Sequence, residues 1–167
     1  MKIIANTFSI LGTVSWIPVF YIIRNYLQKN IISYISIIEM IFVFIIPFIF
    51  SYFALIMHKN IKTGKINIKA KSVSQKDFFA WTYLLSMSVL STFASNNISL
   101  LIIFFVSFIY TCIFAINLNP LFMLFGYHYF NIKTEDNILV TILMKNNIKQ
   151  LNFDNLKKIN PYTYIQI

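Results

Sequence analysis

Long apolar runs that contain a single charged residue, Glu39, constrain this chain more than any other feature of its sequence. The first run, residues 3–23, carries no charge, and three more follow at residues 31–57, 78–94 and 98–117. A helix rises about 1.5 Å per residue, so the first run can cross a hydrocarbon core of about 30 Å. Charged residues make up only 11% of the sequence, against about 25% in typical soluble chains. The sequence therefore predicts an integral membrane protein.

The expected fold class is mainly α, with four transmembrane helices and a small C-terminal cytoplasmic tail that is rich in β-structure. Residues 1–118 would form the transmembrane domain, in which a basic cytoplasmic loop at residues 58–77 separates the second span from the third. The polar residues 95–97 would join the last two spans as a tight hairpin. Residues 119–167 would form the tail, because Pro120 disfavours helical backbone at the residue before it.

Lysine and arginine are distributed unevenly between the segments that flank these runs. Twelve of the 14 basic residues precede the first run or lie in the basic loop and the tail, and only Arg24 and Lys29 lie between the first two runs. Because basic residues are retained on the cytoplasmic side, we expect a multi-pass protein with both termini in the cytoplasm. The same rule accounts for the net charge of +9. Direct binding to nucleic acid is therefore not expected, and the lysines would attract anionic lipid headgroups instead.

Short alternating segments predict that the tail folds as a small sheet. A hairpin is expected from residues 127–134 and 138–145, because both segments are rich in aromatic and β-branched residues. Residues 154–159 would make one or two helical turns. Residues 162–167 alternate again and would form a strand at the edge of the sheet. An alternating segment of the basic loop, residues 65–71, is a candidate to join the same sheet.

A tail of about 50 residues is too small for a robust core of its own. We therefore expect it to lean on the membrane domain, on a second subunit or on a partner protein. Exposed sheet edges accept a strand from another chain, and lysines steer acidic surfaces. The predicted docking residues for a soluble cytoplasmic partner are Lys69, Lys71, Tyr162, Tyr164 and Ile165. The alternative is that the tail packs only against the basic loop and neighbouring subunits.

Glu39 is the one ionisable residue that lies well inside an apolar run. A carboxylate at that depth is costly and normally faces a bundle interior or water. Ser36 and Ser33 precede it at steps of three and so share its face of the predicted helix. Two interpretations stay open. Glu39 lines a cavity, an ion path or a subunit interface, or it hydrogen-bonds between helices and holds them together.

No arrangement of residues predicts catalysis, a cofactor or a metal site. His58 and His128 have no second histidine, cysteine or carboxylate at ligand spacing in the sequence, as a zinc site would require. Cys112 lies within the fourth apolar run, where a free cysteine normally acts as a small apolar residue. Only three glycines are present, too few for a glycine-rich phosphate loop. We therefore expect a protein without enzymatic activity.

The segment from Asn119 to Phe130, NPLFMLFGYHYF, resembles the KwaA family. The plan of four short spans, a basic middle loop and a small β-tail is similar to that family as well. KwaA is the membrane component of the two-part Kiwa anti-phage system. The resemblance implies a homo-oligomer in the bacterial inner membrane that detects phage attack at the envelope and works with a cytoplasmic DNA-binding partner, KwaB. It implies no catalytic residue in the membrane subunit.

The leading hypothesis is therefore an envelope sensor that also acts as the scaffold for a cytoplasmic DNA-binding effector. The sequence leaves other classes open. A small channel, a holin-like pore or a toxin would use Glu39 and the serine-rich helix faces as its polar path. A small transporter or a bacteriocin-immunity protein would also fit four short spans.

Overall fold

The computed structural model describes residues 2–29, 34–61, 64, 66–113, 119–145, 152–160 and 162–166. Within these ranges the helices are α1 (Lys2–Val14), α2 (Trp16–Lys29), α3 (Tyr34–Lys59), α4 (Asp77–Thr92), α5 (Asn97–Ile113) and the single turn α6 (Leu121–Leu124). The strands are β1 (Ile66–Gln75), β2 (His128–Thr134), β3 (Leu139–Met144), β4 (Asn152–Asn160) and β5 (Thr163–Gln166). The chain thus combines a helical part with a sheet, and α4 to α6 fall between β1 and β2.

Helices α1 and α2 form one bent helix. They are separated only by Ser15, whose N–H still donates to the carbonyl of Leu11 at 2.9 Å. Pro18 has no N–H to donate to the carbonyl of Val14, and its ring crowds that carbonyl. The break therefore falls one turn before the proline. The whole segment, Lys2–Gln28, is long and apolar enough to cross a membrane.

Helix α3 is the second helix of that length, and its segment Ile37–Lys59 meets the same criterion of length and hydropathy. It runs antiparallel to the bent helix. Ser51, near the end of α3, lies against Gly12 of α1, whereas Glu39, near its start, accepts a hydrogen bond from Tyr26 of α2. Large apolar side chains are exposed along α3, among them Ile38, Ile41, Phe42, Ile45 and Ile49.

The prediction of a four-span membrane protein is wrong. Helix α4 has 16 residues and α5 has 17, and at about 1.5 Å per residue each is shorter than a hydrocarbon core of about 30 Å. Two helices of the described chain, rather than four, are long and apolar enough to span. The apolar runs at 78–94 and 98–117 do contain α4 and α5. The last residues of the second of these runs, 114–118, lie outside the described residues.

The five strands close into a barrel in the order β1-β2-β3-β5-β4, with β1 paired to β4. Neighbouring strands are antiparallel except for β3 and β5, which are parallel. This is the strand order of the OB-fold, a five-stranded Greek-key barrel. The chain leaves β1 directly into α4 and returns from α6 into β2. The barrel is therefore attached to the helical part on both sides of the inserted helices.

Alternating side chains of the barrel wall serve two different cores. The interior of the barrel holds Ala70, Phe130, Ile132, Val140, Ile142, Met144, Phe153, Leu156 and Tyr164. A second cluster, which we call the seam, joins the outer wall of the barrel to the helices and consists of Ala54, Leu55, Ala80, Phe122, Tyr127, Tyr129, Leu143, Ile159 and Ile165. The barrel consequently packs against the helical part over a continuous apolar surface.

The strand predictions for the C-terminal part are mostly confirmed. The expected hairpin is β2–β3, and Asn137 in its turn has a φ of 61°, a backbone conformation that asparagine adopts more readily than most residues. The alternating segment of the basic loop is β1, which joins the barrel. The helical turn predicted at residues 154–159 is wrong, because β4 runs through that segment and pairs with β1 and β5.

The predicted sheet edge is also wrong. Strand β5 pairs with β3 on one side and with β4 on the other, so the closed barrel leaves no unpaired strand there. Nor is the sheet a small tail, because it includes β1 and rests on the helices through the seam. The closure is long-range: Asn155 donates its N–H to Asn67 Oδ1 across 88 residues of sequence. Periodicity within a short segment does not reveal such a pairing.

Candidate functional site

The side chain of Asn119 is fully buried where α1, α3 and the start of α6 meet. Its amide Nδ2 donates to the carbonyl of Ser9 at 3.2 Å and to Ser51 Oγ at 2.8 Å. Its Oδ1 accepts the N–H of Leu121 at 3.0 Å. The side-chain amide of Asn119 thus forms hydrogen bonds with both long helices and with the turn that leads into the barrel.

Tyr129 on β2 connects the same asparagine to the barrel. Its hydroxyl donates to the carbonyl of Asn119 at 3.0 Å and accepts the N–H of Asn119 at 2.8 Å. Burial raises the pKa of the Tyr129 phenol, so the hydroxyl stays protonated at neutral pH. We call the group formed by Gly12, Ser51, Asn119 and Tyr129 the joint.

Gly12 allows α1 and α3 to approach closely enough to form the joint. A Cβ atom at this position would overlap Ser51 Oγ and would lie 2.9 Å from Asn119 Nδ2. Ser51 in turn donates from Oγ to the carbonyl of Pro47 at 2.7 Å, so its hydroxyl is fixed as the acceptor for Asn119. The close approach requires a residue without a side chain at position 12.

A second polar contact fixes the barrel to the start of α4. Asp77 Oδ1 accepts the N–H of Tyr129 at 2.8 Å, and Oδ2 accepts Gln75 Nε2 at 2.6 Å and lies 2.7 Å from His128 Nδ1. Burial raises the pKa of Asp77, but these hydrogen bonds outweigh it and leave the pKa below its usual range. The backbone N–H of Tyr129 is therefore bound by Asp77 of α4, and its hydroxyl is bound by the backbone of Asn119.

The far end of the helical part, away from the barrel, is closed by Arg24. Its guanidinium donates to the carbonyls of Ser91 at 3.1 Å, Thr92 at 2.8 Å and Ala94 at 2.5 Å. Terminal carbonyls of a helix lack partners within the helix and attract cations. Arg24 also lies over the ring of Tyr21, 5.3 Å from its centroid. The arginine therefore ties the end of α2 to the end of α4.

Glu39 lies at this far end, beside a pocket of about 350 Å³. The pocket is lined by Tyr21, Ile22, Asn25, Tyr26, Glu39 and Asn97. Glu39 is exposed at its mouth, and its Oε2 accepts a hydrogen bond from the Tyr26 hydroxyl. Of the two predicted companions of Glu39, Ser36 belongs to α3 and Ser33 lies outside the described residues.

The five predicted docking residues do not form one accessible surface. Lys69 and Lys71 lie on β1, where both are exposed. Tyr162 is 65% exposed beside β3, whereas Tyr164 is buried inside the barrel and Ile165 in the seam. The alternation of β5 was visible in the sequence, but both of its faces are covered, one by the barrel interior and the other by the helices.

The joint was missed by sequence reasoning. In the sequence, Asn119 is marked by the proline that follows it and by its place in the segment that resembles the KwaA family, but nothing local marks an asparagine as buried. Gly12 carried no signal, because its role depends on α3. Asp77 pairs with a strand about 50 residues later. Within the described parts of the chain, no three His, Cys, Asp or Glu side chains come together as metal ligands would.

The comparison with protein families gives one finding. The family model described as anti-phage protein KwaA matches residues 6–165, nearly the whole chain. No curated protein sequence and no solved structure matches the chain significantly.

Substitution of Gly12 by alanine tests the close approach of α1 to α3. Alanine is favoured over glycine in a helix by about 1 kcal/mol, so Gly12→Ala would stabilise α1 if the site were open. Because the added methyl meets Ser51 and Asn119, we expect a loss of about 1–3 kcal/mol in the free energy of unfolding. The matched control is Gly64→Ala, where nothing lies within 4 Å of the added atom. Unfolding in detergent micelles measures both, and a stabilised Gly12→Ala protein would contradict the joint.

Asp77 predicts a pH dependence of stability. Its pKa in the folded protein lies below the value of about 3.9 expected in the unfolded chain. Its contribution is therefore present above that value and is lost as the pH falls through the folded-state pKa. Asp77→Asn should lower the free energy of unfolding by about 1–2 kcal/mol at pH 7, and the difference from the native protein should vanish in acid. The exposed turn variant Asp136→Asn serves as the control; a gap that persists at low pH would argue against this role.

Proposed function

We propose that this chain, which belongs to the KwaA family of anti-phage proteins, is a membrane-anchored defence protein whose barrel responds to the arrangement of its helices. The observation that carries the proposal is the joint, in which Asn119 binds α1, α3 and β2 at once. If α1 moves against α3, the hydrogen bonds between these helices and the Asn119 side chain break. Asn119 also binds Tyr129 of β2, so such a movement reaches the barrel. The anti-phage role in this proposal rests on the family membership. The coupling between helices and barrel rests on the hydrogen bonds of the joint.

Membrane anchoring is supported by the surface of the long helices. Lys2–Gln28 and Ile37–Lys59 are long and apolar enough to span. Near the start of the second segment, Phe42 is 69% exposed and Ile41 is 54% exposed, and Ile45 and Ile49 further along it are 44% and 46% exposed. Large contiguous apolar surfaces on a protein mark membrane or protein contacts. We propose that these faces contact lipid in the bacterial inner membrane.

The orientation follows from the antiparallel arrangement of the two long helices. The end of α3 lies at the barrel, where Lys59 Nζ is 5.5 Å from the centroid of the Tyr127 ring. The start of α1, with Lys2, lies at the same end because the two long helices are antiparallel. Further lysines lie on the barrel itself, including Lys69, Lys71, Lys133, Lys157 and Lys158. Arg24 lies at the far end. Since basic residues are retained in the cytoplasm, we propose a cytoplasmic barrel and N-terminus, with the far end facing the envelope.

In this proposal the barrel is the part that reaches a soluble effector. The KwaA resemblance points to a cytoplasmic, DNA-binding partner of the KwaB kind and to a homo-oligomer. The accessible members of the predicted docking set are Lys69, Lys71 and Tyr162. Two lysines on an exposed strand would steer an acidic partner surface, while Tyr162 supplies an exposed aromatic side chain of the kind enriched at interfaces.

The test removes the link between Asn119 and the barrel without removing a ring. Tyr129→Phe deletes the hydroxyl that contacts both backbone groups of Asn119. In cells that carry the complete defence system, we expect this variant to reach the membrane fraction at the native level and to lose phage protection. The matched control is Tyr52→Phe, which removes a hydroxyl from a ring on α3 that is 54% exposed and should protect fully.

The plaque assay is read together with membrane fractionation. Leaving the backbone of Asn119 unpaired costs about 1–3 kcal/mol, so the amount of folded Tyr129→Phe protein is measured in the same cells. Full protection by a well-expressed Tyr129→Phe variant would refute the proposed coupling. Recovery of the native chain in the soluble fraction would refute the membrane anchoring.

A further inference from the structure

We propose that the pocket beside Glu39 binds the primary ammonium headgroup of a membrane lipid. The inference deepens the proposed function, because it rests on the helices being membrane-embedded, and it assigns a ligand to the end that faces the envelope. The pocket is formed by α2, by the start of α3 and by Asn97 at the start of α5. The pocket therefore lies where the C-terminal half of α2 meets the first residues of α3 and α5.

The charge of the pocket favours a cation. Of the described residues that line it, Glu39 alone carries a formal charge. The nearby guanidinium of Arg24 is already engaged with the three carbonyls at the end of α4 and with the Tyr21 ring. The formal negative charge of Glu39 therefore has no cationic partner among the described residues that line the pocket. The Tyr26 hydroxyl donates a hydrogen bond to one of its carboxylate oxygens. A carboxylate has about four acceptor sites, so acceptor capacity is left for a ligand.

The neighbouring groups fit a primary ammonium in particular. Such a group has three N–H donors and no acceptor. Asn25 and Asn97 line the same pocket as Glu39, and each side-chain amide has an acceptor oxygen. A quaternary ammonium has no N–H and is instead recognised by aromatic rings, but Tyr21 is only 6% exposed in this pocket. Of the two tyrosines in the lining, only Tyr26 is partly exposed, which is too little for an aromatic cage. The side chains of Asn25, Glu39 and Asn97 carry oxygen acceptors, which suit a group with N–H donors.

The exposed apolar surface of α3 next to the pocket indicates that the bound ammonium group belongs to a lipid. Glu39 is two residues into the candidate span Ile37–Lys59, which places it at the depth of the headgroups. Next to it on α3 the side chains of Ile38, Ile41 and Phe42 are 52%, 54% and 69% exposed. They offer an apolar path for acyl chains that begins at the carboxylate. The pocket volume of about 350 Å³ lies within the usual range for small-molecule sites.

The experiment uses the full chain in detergent and measures bound lipid by native mass spectrometry. The probes are dioleoyl phosphatidylethanolamine and its mono-, di- and trimethylated forms, the last being the choline lipid. We expect retention to fall with each methyl group and binding of the choline lipid to be about tenfold weaker or worse, since each methyl group removes one N–H donor and hydrogen bonds to a charged carboxylate are strong ones. Glu39→Gln keeps the side-chain shape and the acceptor for Tyr26, and should abolish the preference.

The control variant is Glu135→Gln, which removes a carboxylate from the exposed barrel turn and should retain the preference. Equal binding of all four lipids, or a preference that survives Glu39→Gln, would overturn the proposal and identify ordinary annular lipid. Displacement of the lipid by free ethanolamine at equal concentration would overturn the lipid assignment in favour of a soluble amine. Because the purified chain is used, failure here leaves the plaque assay of Tyr129→Phe unaffected, and the reverse also holds.

Discussion

The buried amide of Asn119 is the interaction on which the relation between helices and barrel depends. A buried polar group without partners costs about 1–3 kcal/mol. Here the partners of one residue come from α1, from α3 and from β2. None of the three elements satisfies the amide and its backbone alone. The helical part and the barrel are therefore stable in one mutual arrangement, and the apolar seam around the joint favours the same arrangement.

The order of elements along the chain explains why the joint lies where it does. The barrel begins with β1, is interrupted by α4 to α6 and is completed by β2 to β5. Asp77 follows β1 directly and holds β2 through the N–H of Tyr129. Asn119 precedes α6 and holds the same tyrosine through its hydroxyl. Both ends of the inserted helices thus meet at one residue of the barrel, which makes Tyr129 the natural point of coupling.

The sequence was informative wherever a property depended on neighbours along the chain. The uncharged run at residues 3–23 predicted a long helix, and the segments at 127–134 and 138–145 predicted a hairpin that the structure contains. It was misleading where a property depended on distant residues. The alternation of residues 162–167 predicted a strand, but it did not reveal that the strand pairs on both sides. The apolar run at 78–94 predicted a helix, but it did not reveal that this helix is too short to span a membrane. The burial of Asn119 and the need for Gly12 arise only when α1, α3 and β2 meet.

A double-mutant cycle between Ser51→Ala on α3 and Tyr129→Phe on β2 tests the central claim most directly. Ser51 contacts the side chain of Asn119 and Tyr129 contacts its backbone. If Asn119 couples the helices to the barrel, the two losses in the free energy of unfolding should be non-additive by at least about 0.5–1 kcal/mol, as for residues in one hydrogen-bond network. Additivity within about 0.3 kcal/mol, the behaviour of independent sites, would show that the helices and the barrel are held together without the joint.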